Sequence, residues 1–249
     1  MSAERWYQLA DRVLTRIRET QTEAIRKSAA LIADSVATGG ALHIYDTGHC
    51  SREPLHRAGG LLLLKDLQLS LNLISTPGPR RAETVAERQK GVRGKTDEEL
   101  ADLAVRRSGL AAGDVLIVNS VSGKAALPVQ VAVSAKQLGV RVVAITNVTY
   151  SSAVESQHSS GQRLFQVADL VVDNCGVVGD AALDMEGLDT RAIPTSGLTF
   201  CYVIWALTAE VLAQLLARGL KPHVYRSVNL PDGEQCNARA EAEYRETGI

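Results

Sequence analysis

The chain of 249 residues has little aromatic content, 4%, and almost no charge imbalance, with 27 Lys and Arg against 28 Asp and Glu. A formal net charge of -1 gives no global attraction to nucleic acid or to an anionic membrane surface, so neither is expected as a partner. Any anion must therefore be held locally. Its cysteines, Cys50, Cys175, Cys201 and Cys236, are far apart and form no CxxC pair, which excludes a zinc knuckle and a dense disulfide framework. No metal or other cofactor is expected, and a reducing cytoplasm fits this usage. The opening residues carry charges throughout and lack the apolar stretch of a secretory signal. One apolar run, Leu198 to Ala217, reaches the length of a bilayer span, but Thr208, Glu210 and Gln214 interrupt it, and it reads as a buried or interface helix.

With 45% hydrophobic residues the chain can bury a large core without staples. Apolar positions at Trp6, Leu9, Val13, Ile17, Ile25, Leu31, Ile32 and Val36 have a helical period, so one long helix or a helix pair should open the fold and end at Gly39-Gly40. Five short apolar runs follow, Ala41–Tyr45, Leu69–Ile74, Asp114–Asn119, Arg141–Thr146 and Asp169–Asp173, separated by segments that suit helices. Near-continuous apolar strands alternating with helices predict a doubly wound α/β fold whose parallel sheet is covered on both faces. The stretch from Thr76 to Thr96, rich in Arg, Gly and Pro, is expected as a long polar loop. The predicted organisation is a single domain over 1–249: a helical arm at 1–38, the α/β core at 39–194, and a C-terminal helix and tail at 195–249.

Ligands of open parallel sheets bind beyond the carboxyl ends of the strands, so the residues after each run carry the functional weight. Asp46-Thr47-Gly48-His49-Cys50-Ser51 follows the first strand and Asn119-Ser120-Val121-Ser122-Gly123-Lys124 the third. Both combine glycine and hydroxyl side chains before a helix, which suits a phosphate; the same residues also serve as plain turn and N-cap residues. Neither junction spells a P-loop, a GxGxxG fingerprint or a nucleophile elbow.

Ser120-Val121-Ser122-Gly123 resembles the phosphosugar-binding serine loop of the SIS (sugar isomerase) family, and Thr47 to Ser51 resembles its first-strand glycine loop. Tyr150-Ser151-Ser152, His158-Ser159-Ser160-Gly161, Ala168-Asp169, Gly179-Asp180-Ala181 and the tail Asn229 to Gly233 extend the likeness along the whole chain. Together they resemble a bacterial branch labelled phosphosugar or phosphoheptose isomerases, from which the sequence departs at Cys50. The resemblance implies a three-layer α/β/α sandwich on five parallel strands, and a phosphorylated sugar as ligand. Gly48, His49, Ser51, Ser120, Ser122, Gly123 and Asp180 are its implied binding residues. Aldose–ketose isomerisation needs a base between C1 and C2 and an acid for ring opening. Glu87 or Glu83, with His158, are the candidates, although the two glutamates also read as a solvated face and His158 as a surface histidine. The alternative is a phosphosugar sensor without chemistry; the 40 residues before the first strand are too few for a DNA-binding domain and its linker. The opening helix and the Leu198–Ala217 helix predict a homodimer or homotetramer.

Overall fold

The structure, a computed structural model, describes residues 2–48, 53–70 and 76–249, with side chains throughout except at 91–94. Helix α1 (Ser2–Ala37) is one continuous 36-residue element. Its buried Val13, Ile17, Ile25, Ala29, Ile32, Ala33 and Val36 form the inward stripe of a 3.6-residue period. Gly39, at φ +89°, ends it in the left-handed region. Gly40 has a packing reason of its own: a Cβ there would fall on Ser35 Oγ and the Gly113 carbonyl, which are hydrogen-bonded to each other at 2.6 Å.

Strands β1 (Leu42–Asp46), β2 (Leu64–Asp66), β3 (Val115–Asn119), β4 (Arg141–Thr146) and β5 (Leu170–Asp173) make one sheet in the order β2-β1-β3-β4-β5, every pair parallel. Both faces are covered. Val115 and Ile117 of β3, with Val143 and Ile145 of β4, point to the side of α1 and α6 (Ser196–Ala217). Leu116, Val118, Val142 and Ala144 point the other way, to α2 (Ala82–Arg107) and α3 (Ala126–Gln137). Burial on both faces is why these strands are apolar at successive positions rather than alternating. The short helices α4 (Val148–Ser152) and α5 (Leu164–Val167) lie between β4 and β5, and α7 (Gly233–Thr247) follows α6.

Two expectations are corrected. The second strand is Leu64–Asp66, paired with β1 from Leu42↔Leu64 to Ile44↔Asp66, and not Leu69–Ile74. Leu69 and Ser70 lie outside any strand, and 71–74 lie outside the described residues. The polar segment 76–96 is not a loop. It enters through a 3-10 turn at Pro79–Arg81 and becomes α2 from Ala82, because Ala, Glu, Gln, Lys and Arg are strong helix formers even where no core supports them. Residues 82–90 of this helix are exposed apart from the half-buried Val85; further along, Ala101 and Val105 are buried.

Helix α6 was expected to need cover, and much of it comes from within the chain, since α6 packs against α1 over the sheet with Phe200, Val203, Ile204, Leu207 and Leu215 at its core. Tyr202, Trp205 and Leu212 are only partly buried, and Leu216 is 57% exposed. A two-stranded antiparallel hairpin, β6 (Ala181–Leu183) with β7 (Ala192–Pro194), precedes α6 and had no signal in the sequence periodicity.

Candidate functional site

The carboxyl ends of β1 and β3 are tied side by side. Thr47 donates from both its N–H and its Oγ1 to the Asn119 carbonyl, each at 3.2 Å, and Asn119 Nδ2 donates to Asp46 Oδ1 at 2.7 Å. Gly48, at φ +106°, then turns the chain through a conformation that side chains resist. His49 and Ser51 lie outside the described residues.

The serine loop after β3 is held from behind. Thr146 Oγ1 and the Asn147 N–H donate to the Val121 carbonyl, the Leu164 N–H donates to the Gly123 carbonyl at 2.8 Å, and the Gln157 N–H donates to the Lys124 carbonyl at 2.8 Å. Three carbonyls are thereby consumed by residues from Thr146, the last of β4, to Leu164, the first of α5. The N–H groups of Ser122, Gly123, Lys124 and Ala125 meet no acceptor among the described residues, nor do the hydroxyls of Ser120 and Ser122. Helix α3 starts immediately afterwards at Ala126, behind an N-cap alanine whose side chain caps nothing. The loop therefore presents donors and the positive end of a helix, with its acceptors turned away, which is the arrangement that binds an anion. Gly123 makes this turn possible, since at φ +56° a Cβ would stand 3.0 Å from both Ser151 Oγ and Thr146 Oγ1.

A cavity of about 550 Å³ opens beside the start of α3, and Ala125 is the residue of the serine loop that lines it. Asp46 at the end of β1 lines it with Thr47 and Gly48 just beyond, Asp66 at the end of β2 with Gln68 just beyond, Ala125 and Pro128 at the start of α3, and Asp97 from α2. Asp97 was not anticipated. Its carboxylate has no hydrogen-bond partner among the described residues, and no feature of the sequence near it marks the site. Tyr45, 6% exposed, stands at the floor; burial, then the charges of Asp46 and Asp97, push its phenol up to about 12, so it is a neutral hydroxyl at any physiological pH.

The remaining expected residues are elsewhere. Asp180, itself at φ +66°, uses Oδ1 to accept from the Thr195 N–H, Thr195 Oγ1 and the Ser196 N–H, and Oδ2 to accept from Ser196 Oγ. It caps α6, so α6 has a carboxylate at its N-terminus where α3 has none. His158 is 8% exposed, with Nδ1 2.8 Å from Ser160 Oγ and Nε2 2.8 Å from Gln130 Oε1 on α3. Beside it, Glu98 on α2 accepts from the N–H and Oγ of Ser159, both at 2.6 Å. Burial pushes the Glu98 carboxyl up, but the two bonds from Ser159 and the nearby His158 outweigh it and hold the group below its ordinary range. His158 thus knits the loop after α4 to α2 and α3. Glu83 and Glu87 are exposed on α2, about 21 Å and 15 Å along the helix axis from Asp97 at 1.5 Å per residue. The structure brings them neither to the cleft nor to His158.

A model of the SIS domain matches residues 5–147, more than half of the chain. The chain belongs to the SIS domain family. Its curated relatives include a UPF0309 protein of Streptomyces griseus subsp. griseus, 34% identical over 98% of this chain and 95% of that protein, and one of Shouchella clausii, 32% identical over 94% and 93%. Among solved structures, the phosphoheptose isomerase of Neisseria gonorrhoeae superposes with a TM-score of 0.51 over 86% of this chain and 96% of that one, at 14% identity. That likeness concerns the fold: this SIS domain has the same five-stranded parallel sheet between helices. The matched residues 5–147 take in both the β1 and the β3 loops.

Proposed function

We propose that this SIS domain binds a phosphorylated sugar in the cleft between β1, β2 and α3. The phosphate lies on the open N–H groups and hydroxyls of Ser120 to Ala125, and the sugar hydroxyls face Asp97, Asp66 and Gln68. The observation that carries this reading is the asymmetry of the serine loop, whose carbonyls are consumed behind it while its donors stay open at an uncapped helix start. Membership of the SIS family and the phosphoheptose isomerase named among the fold neighbours support the ligand class.

The chemistry we assign is aldose–ketose isomerisation, with Asp97 as the base that carries the proton between sugar carbons. It is the carboxylate that lines the cleft without a hydrogen-bond partner among the described residues. Glu87 or Glu83 with His158 would require a neighbouring copy to bring the glutamates to the cleft, and His158 would have to give up a ring-nitrogen partner. Their distance favours a second reading, a phosphosugar-binding protein without turnover. A thermal-shift screen of sugar phosphates followed by product analysis separates the two. Under the isomerase reading, Asp97→Asn lowers turnover of the hit by about a hundredfold or more with affinity nearly intact, because an amide is too weak a base. Ligand bound and never converted by the wild type leaves the binding protein.

A further inference from the structure

We propose that His56 is a further catalytic residue of the isomerisation, the acid that hands a proton to the ring oxygen of the sugar, and that Tyr225 of the C-terminal segment positions it. The proposal rests on the reading of the cleft given above, which assigns Asp97 as the base and names no acid. Of the described histidines, His43 lies at the other end of the sheet beside Asp114, His158 has a partner at each ring nitrogen, and His223 Nε2 stands 3.2 Å from Glu243 Oε2 on α7. His56 differs from all three. Its Nδ1 is 3.0 Å from Tyr225 Oη, and its Nε2 meets no partner among the described residues. It lines a cavity of about 660 Å³ that shares Tyr45 and the wall from Asp66 to Leu69 with the phosphosugar cleft, and a smaller one of about 290 Å³ with Asp66 and Gln68. Sugar hydroxyls that face Asp66 and Gln68 are therefore beside His56.

His56 is fixed by a segment far from it in sequence. Its φ of +55° is a conformation that side chains resist, and such residues persist where the surroundings hold them and gather at functional sites. Residues 223–225 supply the hold, running antiparallel to 59–62. The Gly59 N–H donates to the Tyr225 carbonyl at 2.7 Å, the Tyr225 N–H to the Gly60 carbonyl at 3.0 Å and the Leu62 N–H to the His223 carbonyl at 3.1 Å, with Leu61 bridged to Val224. The Tyr225 ring centroid is then 5.3 Å from that of His56. Burial, then the charge of Glu241, raise the Tyr225 phenol, so it stays a neutral hydroxyl whose oxygen accepts from Nδ1–H. The proton that comes and goes is then the one on Nε2, the open nitrogen. The charged groups nearest this ring are Asp66 and Arg107, which line its cavity, and on its own segment Glu53, held by Arg57 at 2.7 Å. In ring opening, imidazolium Nε2 gives its proton to the ring oxygen, which also takes the electron pair of the breaking C–O bond at the anomeric carbon. The anomeric hydroxyl becomes the carbonyl as it loses its proton to solvent water, and solvent returns a proton to Nε2.

The test is steady-state turnover, by the full chain, of the sugar phosphate found in the screen. His56→Gly suits it, because glycine adopts φ +55° without strain and leaves space for a ring from solution. We expect kcat to fall by about a hundredfold with KM nearly unchanged, and added imidazole to restore it by about tenfold or more, the restored rate declining as rising pH removes the imidazolium form. Tyr225→Phe, which keeps the ring and removes the oxygen, should lower kcat by about threefold to tenfold at constant KM. If glycine unfolds the segment, His56→Asn, whose side chain tolerates the left-handed region, should show the same loss of kcat. Turnover at the wild-type rate without the histidine, or a loss in His56→Gly that imidazole does not restore, overturns the acid and leaves the cleft and Asp97 standing. Wild-type turnover in Tyr225→Phe overturns the positioning role. A wild type that binds sugar phosphates and converts none overturns the isomerase reading, and the acid with it.

Discussion

The N–H of Leu164 donates to the carbonyl of Gly123 at 2.8 Å, and this bond decides which way the serine loop faces. Leu164 opens α5 and is itself fully buried, so the loop is anchored to the core rather than to its own helix. A loop whose carbonyls are held from behind has its donors fixed before any ligand arrives, and little ordering remains to oppose binding. The position of Gly123 is accordingly intolerant. Gly123→Ala introduces a left-handed alanine, at a cost of about 1–2 kcal/mol, and drives a methyl group against Ser151, Thr146 and Leu164. We expect a lower melting temperature and a loss of sugar-phosphate affinity together, read by calorimetry on the same sample.

Asp180 should behave differently. Its carboxylate is committed to the N-terminus of α6 through Thr195 and Ser196, so Asp180→Ala is expected to cost about 1–2 kcal/mol of stability as a lost cap. Sugar-phosphate affinity should change little. A variant that keeps its stability in denaturant titration but loses the ligand would place Asp180 at the ligand instead.

How far the sequence discloses this fold depends on which interactions decide each element. β1, β3, β4 and β5 are legible as apolar runs because a strand buried on both faces has to be apolar throughout. β2 is not, because it is only three residues long at a sheet edge, and the leucines before it serve other contacts: Leu61 bridges Val224 and the Leu62 N–H donates to the His223 carbonyl. α2 is masked by Pro77, Gly78, Pro79, Gly91 and Gly94, which carry loop signals, although good helix formers surround them. The glycine and hydroxyl residues that follow β1 and β3 are local features and are visible in the sequence itself. Asp97 reaches the cleft because α2 packs against α3, and His158 is engaged by Ser160 beside it and by Gln130, 28 residues away.

The other end of the sheet predicts a pH response. His43 on β1 is half-buried, and its Nε2 stands 3.6 Å from Asp114 Oδ2. Asp114 already accepts from the N–H groups of Ala41 and Ala111. Burial lowers the His43 pKa more than Asp114 raises it, with Lys65 adding to the lowering. A histidine whose folded pKa is depressed contributes stability above its ordinary 6.5, and that stability is lost as the pH falls toward the folded value. Unfolding free energy should therefore decline as the pH drops below about 6.5, and His43→Gln should flatten the decline, as measured by urea titration at a series of pH values.

The central claim is that the loop from Ser120 to Ala125 holds a sugar phosphate through its open donors. The most direct measurement is calorimetric titration of wild type and Ser122→Ala with the tightest sugar phosphate from the screen, alongside inorganic phosphate as competitor. Removal of a hydroxyl that donates to a phosphate oxygen should weaken binding by about 1–3 kcal/mol, with the melting temperature of the free protein nearly unchanged, and phosphate should compete for the same site. Equal affinity in wild type and variant, or binding that phosphate does not displace, would contradict the account.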